Sequence, residues 1–370
     1  MNIVVVHPGS RSLAGNTRLA LTMADVFKGL GHKVTIYDRF LGETKAKMQA
    51  ALLGQKIEMT VTQKLSPQYV HIKNLRDLHS FYRLKHLAVS DFRFVDLPIM
   101  HTPSGYPPFP DTLSEALDDA DMIFTDGEYL AWLPTIKQAW GDKAAFYVHW
   151  PLREMPPVKD HPFEAVLCNS EFTKRHVKER WGIDATVFYP PVYCEFYDPS
   201  RPMRKREYDV VCYARLHADK FARFEEIRKA LPNLKFAVMG SSYGLKMPQN
   251  VDVFENATLE KVCEVLGNSK LYLHLKGLEP NSPPEHFGQT VVEAIASGCM
   301  ALAPNVGGTV EIPSVRTFID YHVLPDLIRY SLTSPKLEEE RVERARLMRA
   351  YDPSSRKAEF DGLLSRFSLR

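Results

Sequence analysis

Two glutamates, Glu285 and Glu293, flank a glycine and a predicted helix start in the string EHFGQTVVEAIASGCMALAPNVGGTVEI at 285–312. Carboxylates accept hydrogen bonds from sugar hydroxyls, and the exposed N–H groups of a helix start favour a diphosphate. Gly288 lets the backbone turn, and Thr290 with Glu293 three residues on has the spacing of a capping box. Glu285 is expected on the loop before the helix and Glu293 in its first turn, so both reach one ligand lying across that start. The same residues admit a plainer reading, in which Glu293 only caps, Glu285 faces solvent and Gly307–Gly308 is a turn.

Three further places carry candidate chemistry. In YARLHADK at 213–220, Arg215 and Lys220 follow a predicted strand and would lie over its carboxyl edge. Two cations there can neutralise a leaving diphosphate, although an isolated pair also fits a solvated surface. The loop HPGSRSLAGNTR at 7–18 joins strand to helix, with Gly9 and Gly15 allowing backbone N–H groups to face a phosphate. His149 closes the strand AAFYVHW, which puts an imidazole at a sheet's carboxyl edge, where a lone histidine can equally be structural. His71, His79, His86, His101 and His161 lack a metal-ligand spacing with nearby acids, so no structural metal is expected.

These residues need strands and helices to hold them. The first half alternates NIVVV, an amphipathic TRLALTMADVFKGL, HKVTIYD, DMIFTDG, AAFYVHW, EAVLCNS and ATVFYPP, the βαβ rhythm of a parallel sheet covered on both faces. Ligands of such sheets sit at the carboxyl ends of the strands. A proline-studded stretch, YPPVYCEFYDPSRPMRKREYD, interrupts the rhythm and reads as a solvated linker over 191–207, its cluster Arg201, Arg204, Lys205 and Arg206 being an alternative anion site. Alternation then restarts with DVVCYARL, KFAVMGS, VDVF, KLYLHLKG and CMALAPN, which defines domains over 1–190 and 208–353. A charged helix LEEERVERARLMRA is predicted to break at Tyr351 to Pro353, and a last helix over 354–370 to pack back on the first domain. Between Arg39 and Thr112 the pattern loosens into lysines near 45–64, an amphipathic LRDLHSFYRLKHL and the proline- and aromatic-rich HTPSGYPPFP, which reads as a surface elaboration, with shaping of an acceptor site or contact with a membrane surface as alternatives.

Composition narrows the class. A chain of 370 residues suits two cores, and a net charge of +2 from 47 basic and 45 acidic residues gives no global pull toward nucleic acid. Five scattered cysteines, Cys168, Cys194, Cys212, Cys263 and Cys299, form no CxxC pair and suit a reducing compartment. The start MNIVVVHPGS enters a strand without a secretion signal, and no apolar run of about 18 residues appears. The expected location is cytoplasmic, with peripheral contact at the inner membrane face left open.

The 285–312 string resembles the Glu, seven residues, Glu signature of the retaining GT-B glycosyltransferases of family four. The resemblance implies that Glu293 binds the ribose, Glu285 the donor sugar hydroxyls, and Phe287, Gly288, Gln289 and Thr290 the donor sugar and diphosphate. It carries Arg215 and Lys220 to the phosphates, with Ala214 replacing the usual glycine. In Ala14-Gly15-Asn16-Thr17-Arg18 the chain keeps only Gly15 and the arginine of the family's double-glycine loop, and His149 is similar to the family's histidine that contacts the donor sugar. The resemblance spans nearly the whole chain, including NSEFTKRHV at 169–177. EHFG and YVHWP look similar to mannosyltransferases that extend lipid-linked oligosaccharides.

The implied fold is α/β GT-B, two Rossmann-like doubly wound parallel-sheet domains with an interdomain cleft. The implied reaction is retaining transfer of a hexose such as mannose from a GDP- or UDP-linked donor, by front-face attack assisted by the leaving phosphate, with no cofactor, no metal requirement and no nucleic-acid partner. The acceptor is a glycan, a lipid-linked molecule or a small molecule. A sugar-nucleotide epimerase or hydrolase on the same scaffold and a non-catalytic sugar-nucleotide or glycan-binding subunit stay open as alternatives.

Overall fold

The computed structural model describes residues 1–7, 15–39, 82–95, 109, 111–126, 133–150, 163–213, 218–240, 251–255, 257–278 and 283–368, with the side chains at 38, 39, 89, 94, 95, 213 and 218–221 excepted. Arg215, the 8–14 loop, the 45–64 lysines and the 101–108 prolines therefore lie outside the described residues, and Lys220 is described by its backbone alone. The chain divides into two units, Met1–Pro191 with Lys357–Arg370, and Val192–Arg356.

Apolar runs that are buried on both faces make the strands of the first unit. They are β1 (Asn2–His7), β2 (Lys33–Arg39), β3 (Phe92–Val95), β4 (Met122–Thr125), β5 (Ala144–Val148), β6 (Ala165–Cys168) and β7 (Thr186–Val187), ordered β3-β2-β1-β4-β5-β6-β7. Every pairing among the described residues is parallel, with Val5 in register with Ile36 on one side and Phe124 on the other. The chain moves outward from β1 to β3 and then returns to the other side of β1, so the strand order reverses between β1 and β4. Helix Glu171–Trp181 starts where Ser170 accepts from the Thr173 N–H at 3.0 Å and stops at Gly182 with φ 70°. The last helix, Lys357–Ser365, sets Phe360 edge-on to Phe27 and Phe188 at 6.2 and 5.1 Å.

The second unit repeats the logic. Its strands β8 (Tyr208–Tyr213), β9 (Phe236–Gly240), β10 (Val251–Glu255), β11 (Ser269–Leu273), β12 (Met300–Pro304) and β13 (Arg316–Phe318) are ordered β10-β9-β8-β11-β12-β13. All its pairings among the described residues are parallel, and the order reverses between β8 and β11. Its core includes Val210, Phe224, Phe236, Leu271, Leu302 and Ile328.

Two local expectations differ from the structure. The stretch read as a solvated linker is packed: it forms 3-10 turns at Cys194–Phe196 and Met203–Lys205, and Arg206 is only 4% exposed. Arg206 donates to the carbonyls of Ser269 at 2.7 Å, Ser297 at 2.8 Å and Arg201 at 3.1 Å. Ser297 ends a helix, and a cation at a helix carboxyl end satisfies an orphan carbonyl and the dipole together. The charged helix near 337–350 is split into Lys336–Glu339 and Arg341–Leu347, with a 3-10 turn at Met348–Tyr351. Arg344 reaches back to the Lys336 and Leu337 carbonyls at 3.0 and 2.9 Å, which takes up groups the break leaves open.

Candidate functional site

Polar side chains gather at the point of each sheet where the strand order reverses, the place where open parallel sheets bind ligands. In the first unit, His7 ends β1, Asp126 follows β4 and His149 follows β5. Asp126 Oδ1 lies 2.7 Å from His7 Nδ1 and Oδ2 lies 3.2 Å from His149 Nε2. The side chains of His7 and Asp126 have no solvent exposure, whereas His149 keeps 17%. His7 Nε2 faces the Thr17 hydroxyl at 3.3 Å, and Asn169 Nδ2 donates to the His149 carbonyl at 3.2 Å. Burial alone would raise the Asp126 carboxyl, but its close contacts with His7 and His149 outweigh that and hold the group at about 2.

Sequence reading singled out His149 alone in this cluster. His7 and Asp126 carried a signal of the same kind, a polar residue closing the apolar strand runs NIVVVH and MIFTD, but nothing in the string joins them. Gly15 opens helix Gly15–Gly29 and is exposed.

In the second unit, the segment after β11 carries His274 and Lys276, and Glu285 sits on the loop before helix Gln289–Ala296. Glu285 Oε2 is 3.3 Å from Lys276 Nζ and 3.9 Å from His274 Nε2, and Oε1 accepts the His286 N–H at 3.2 Å. Its side chain is 27% exposed. Burial would raise this carboxyl too, yet Lys276, His274 and His286 outweigh it and hold the group at about 2. Glu285 is thus an ionised acceptor already faced by Lys276, His274 and the His286 N–H, and not the plain solvent-facing acid.

Helix Gln289–Ala296 begins differently from the capping box. Gly288 is its N-cap in the left-handed region, with φ 94°, and no side chain caps it. The Thr290 hydroxyl is 2.9 Å from Tyr272 Oη instead, and Glu293 is wholly buried on the inward face of the helix. Tyr272 Oη also lies 3.4 Å from His274 Nδ1, and burial pushes this phenol well above its ordinary range, which leaves it a neutral donor. The Tyr272 partner on β11 is what draws Thr290 inward, a contact that lies outside any local motif.

Gly307 and Gly308 are more than a turn. The Gly308 N–H donates to the Glu285 carbonyl at 2.8 Å, and a Cβ at Gly308 would stand 1.9 Å from the His286 carbonyl oxygen. At Gly307, with φ 79°, a Cβ would stand 2.2 Å from the Glu285 carbonyl oxygen. The 3-10 turn Gly307–Glu311 is therefore pressed backbone to backbone against the loop that carries Glu285. Phe287, 2% exposed, anchors that loop by packing on Tyr351 at 5.4 Å between ring centres.

The structure brings Glu285, Phe287, Gly288, Gln289, Thr290 and Glu293 together at one helix start. Lys220 belongs to helix Ala218–Ala230, the element that follows β8, and so enters at the same order reversal. Among the described residues, no group of three His, Cys, Asp or Glu is arranged to hold a metal ion, and no helix is long and apolar enough to cross a membrane.

No family model and no curated protein matches the chain. Solved structures do. A glycosyltransferase from Rickettsia africae aligns with TM-score 0.66 at 15% identity, over 100% of this chain and 99% of its own. The Anabaena HepE protein, solved with UDP-glucose, aligns with TM-score 0.66 at 13% identity, over 99% of both chains. An alpha-glucosyltransferase solved with UDP and a 13-mer DNA containing a HMU base aligns with TM-score 0.59 at 14% identity, over 98% of both. At such identities the likeness is one of fold, and the chain has the fold of GT-B glycosyltransferases, two Rossmann-like units with parallel sheets of seven and six strands.

Proposed function

We propose that the protein is a retaining glycosyltransferase that moves a hexose, mannose in the narrowest form of the reading, from a nucleoside-diphosphate sugar to a glycan, lipid-linked or small-molecule hydroxyl. The observation that carries the proposal is the ionised Glu285, clamped by Gly307–Gly308 beside a helix start without a side-chain cap, at the order reversal of a sheet in this fold. In this reading Glu285 accepts hydrogen bonds from donor-sugar hydroxyls and Glu293 from the ribose. Phe287, Gly288, Gln289 and Thr290 line the sugar and diphosphate. His149 meets a substrate hydroxyl, and Gly15, at the start of its helix, faces a phosphate.

The chemistry asks for charge stabilisation more than for a protein nucleophile. The anomeric C–O bond breaks and the nucleoside diphosphate leaves with its electron pair. Arg215, Lys220 and the helix start offset the charge that develops on it. The acceptor hydroxyl attacks from the same face and its proton passes to the departing phosphate. A divalent metal is not required for this arrangement.

The test is a panel of GDP-, UDP- and ADP-sugars with the parent chain and with Glu293→Ala, read by thermal shift and by released nucleoside diphosphate. One base should raise the parent's melting temperature, and Glu293→Ala should abolish that shift. Conversion of the donor without any acceptor would favour an epimerase or hydrolase; a folded parent that answers no donor would refute the reading. Retention is checked by the anomeric configuration of the product.

A further inference from the structure

The buried cluster of the first unit is built for more than stability. An ionised carboxylate only accepts hydrogen bonds, so each ring nitrogen facing Asp126 must carry a proton. His7 Nδ1 at 2.7 Å and His149 Nε2 at 3.2 Å both face it. His7 and Asp126 have no exposed side-chain surface, while His149 keeps 17% and is the member of the cluster open to a ligand. His149 is further fixed by its carbonyl's bond from Asn169 Nδ2 at 3.2 Å and by the Tyr147 ring, whose centre lies 5.0 Å away.

We infer that Asp126 and His7 are positioning residues: Asp126 holds His149 as the Nε2–H tautomer, and His7, as the carboxylate's second donor, keeps Asp126 charged so that it can do so. In the neutral ring, Nδ1 of His149 is then the acceptor, suited to a hydrogen bond from a sugar hydroxyl. A buried carboxylate with one donor would be under-solvated and would favour protonation. A protonated Asp126 would turn from acceptor to donor and compete with His149 Nε2–H. The Thr17 hydroxyl, 3.3 Å from His7 Nε2, donates to that nitrogen once His7 Nδ1 carries the proton. The inference rests on the proposed reading only for the nature of the ligand hydroxyl, and the placement of the protons is independent of it.

The experiment reads imidazole nitrogen and carbon NMR on the full ligand-free chain, with the His149 and His7 signals identified by their loss in His149→Asn and His7→Gln. The parent should show neutral His149 as Nε2–H and His7 as Nδ1–H. Asp126→Asn offers one acceptor and one donor in place of two acceptors, so one of the two rings must move its proton to the other nitrogen. His7→Gln keeps an N–H toward Asp126 and should preserve the His149 tautomer. With a donor found by the nucleotide-sugar panel, Asp126→Asn should lower kcat about ten- to hundredfold, the scale of one hydrogen bond to a charged group, with donor KM nearly unchanged.

A parent His149 protonated on Nδ1 alone would overturn the inference. So would a folded Asp126→Asn with both tautomers unchanged or with parental kcat, or a folded His7→Gln in which the His149 tautomer is lost. The predicted tautomers in a chain that turns over no sugar nucleotide would refute the reaction while leaving the positioning intact.

Discussion

Replacing Gly308 by alanine tests the clamp on Glu285 without touching a polar group. The new Cβ would stand 1.9 Å from the His286 carbonyl oxygen, 2.6 Å from the His286 carbonyl carbon and 3.0 Å from Phe287 Cα, all backbone atoms that no rotamer change can move away. An ordinary contact begins near 3.4 Å, so the loop and the 307–311 turn must part by about 1.5 Å at the closest point. Overpacking of this kind costs about 2 kcal/mol, which lowers the melting temperature of a unit this size by about 4–8 °C. It also carries Glu285 away from the helix start, and a shift of about 1 Å in a positioning group costs about a hundredfold in rate. Thermal unfolding of the full chain, with and without the sugar nucleotide that stabilises the parent, measures both effects. Gly362→Ala is the control, since its Cβ meets nothing within 4 Å in helix Lys357–Ser365, and it should be neutral or slightly stabilising. If Gly308→Ala melts with the parent and keeps its ligand response, the backbone contact between turn and loop is not as described and the clamp fails with it.

Acid should weaken both units in the same window. Asp126 and Glu285 are held at about 2, below their ordinary 3.8 and 4.5, so each contributes stability that is fully present above the unfolded value and is lost as pH falls from about 5 toward 2. Asp126, wholly buried, accounts for about 2 kcal/mol of this, and a urea midpoint that stays flat over that range would contradict the assignment. The thiols should divide sharply: burial pushes Cys194 up to about 12, Cys299 to about 11 and Cys212 higher still, while Cys263 alone is partly exposed. A thiol reagent in native buffer should therefore modify one cysteine quickly and the other four only on unfolding. Arg206→Met should cost about 3 kcal/mol by stranding the Ser269 and Ser297 carbonyls, and Arg206→Lys should not restore it, because one ammonium cannot span both. Parental urea unfolding of either variant would refute the role given to that guanidinium.

The parallel strands were legible because burial on both faces writes them as unbroken apolar runs, such as NIVVVH and MALAP. The 285–312 elements were legible because their chemistry lies in one contiguous string. The first-unit cluster was not, since His7 and Asp126 are separated by 119 positions and meet only through the order of the strands that end in them. Thr290 failed as a cap because Tyr272, 18 positions earlier, claims its hydroxyl. Arg206 read as a solvated linker charge because a local run of basic residues says nothing of the carbonyls that await it 63 and 91 positions on.

The division of the chain has a consequence for its synthesis. The second unit is continuous, Val192–Arg356, whereas the first is completed by Lys357–Arg370, whose Phe360 packs on Phe27 and Phe188. A nascent chain would thus emerge with its first sheet lacking a wall while the following unit has everything it needs. The second unit is then expected to mature ahead of the first, against the usual amino-terminal-first order. The early-made half is expected to keep an open apolar flank until residues 357–370 have been made and close it.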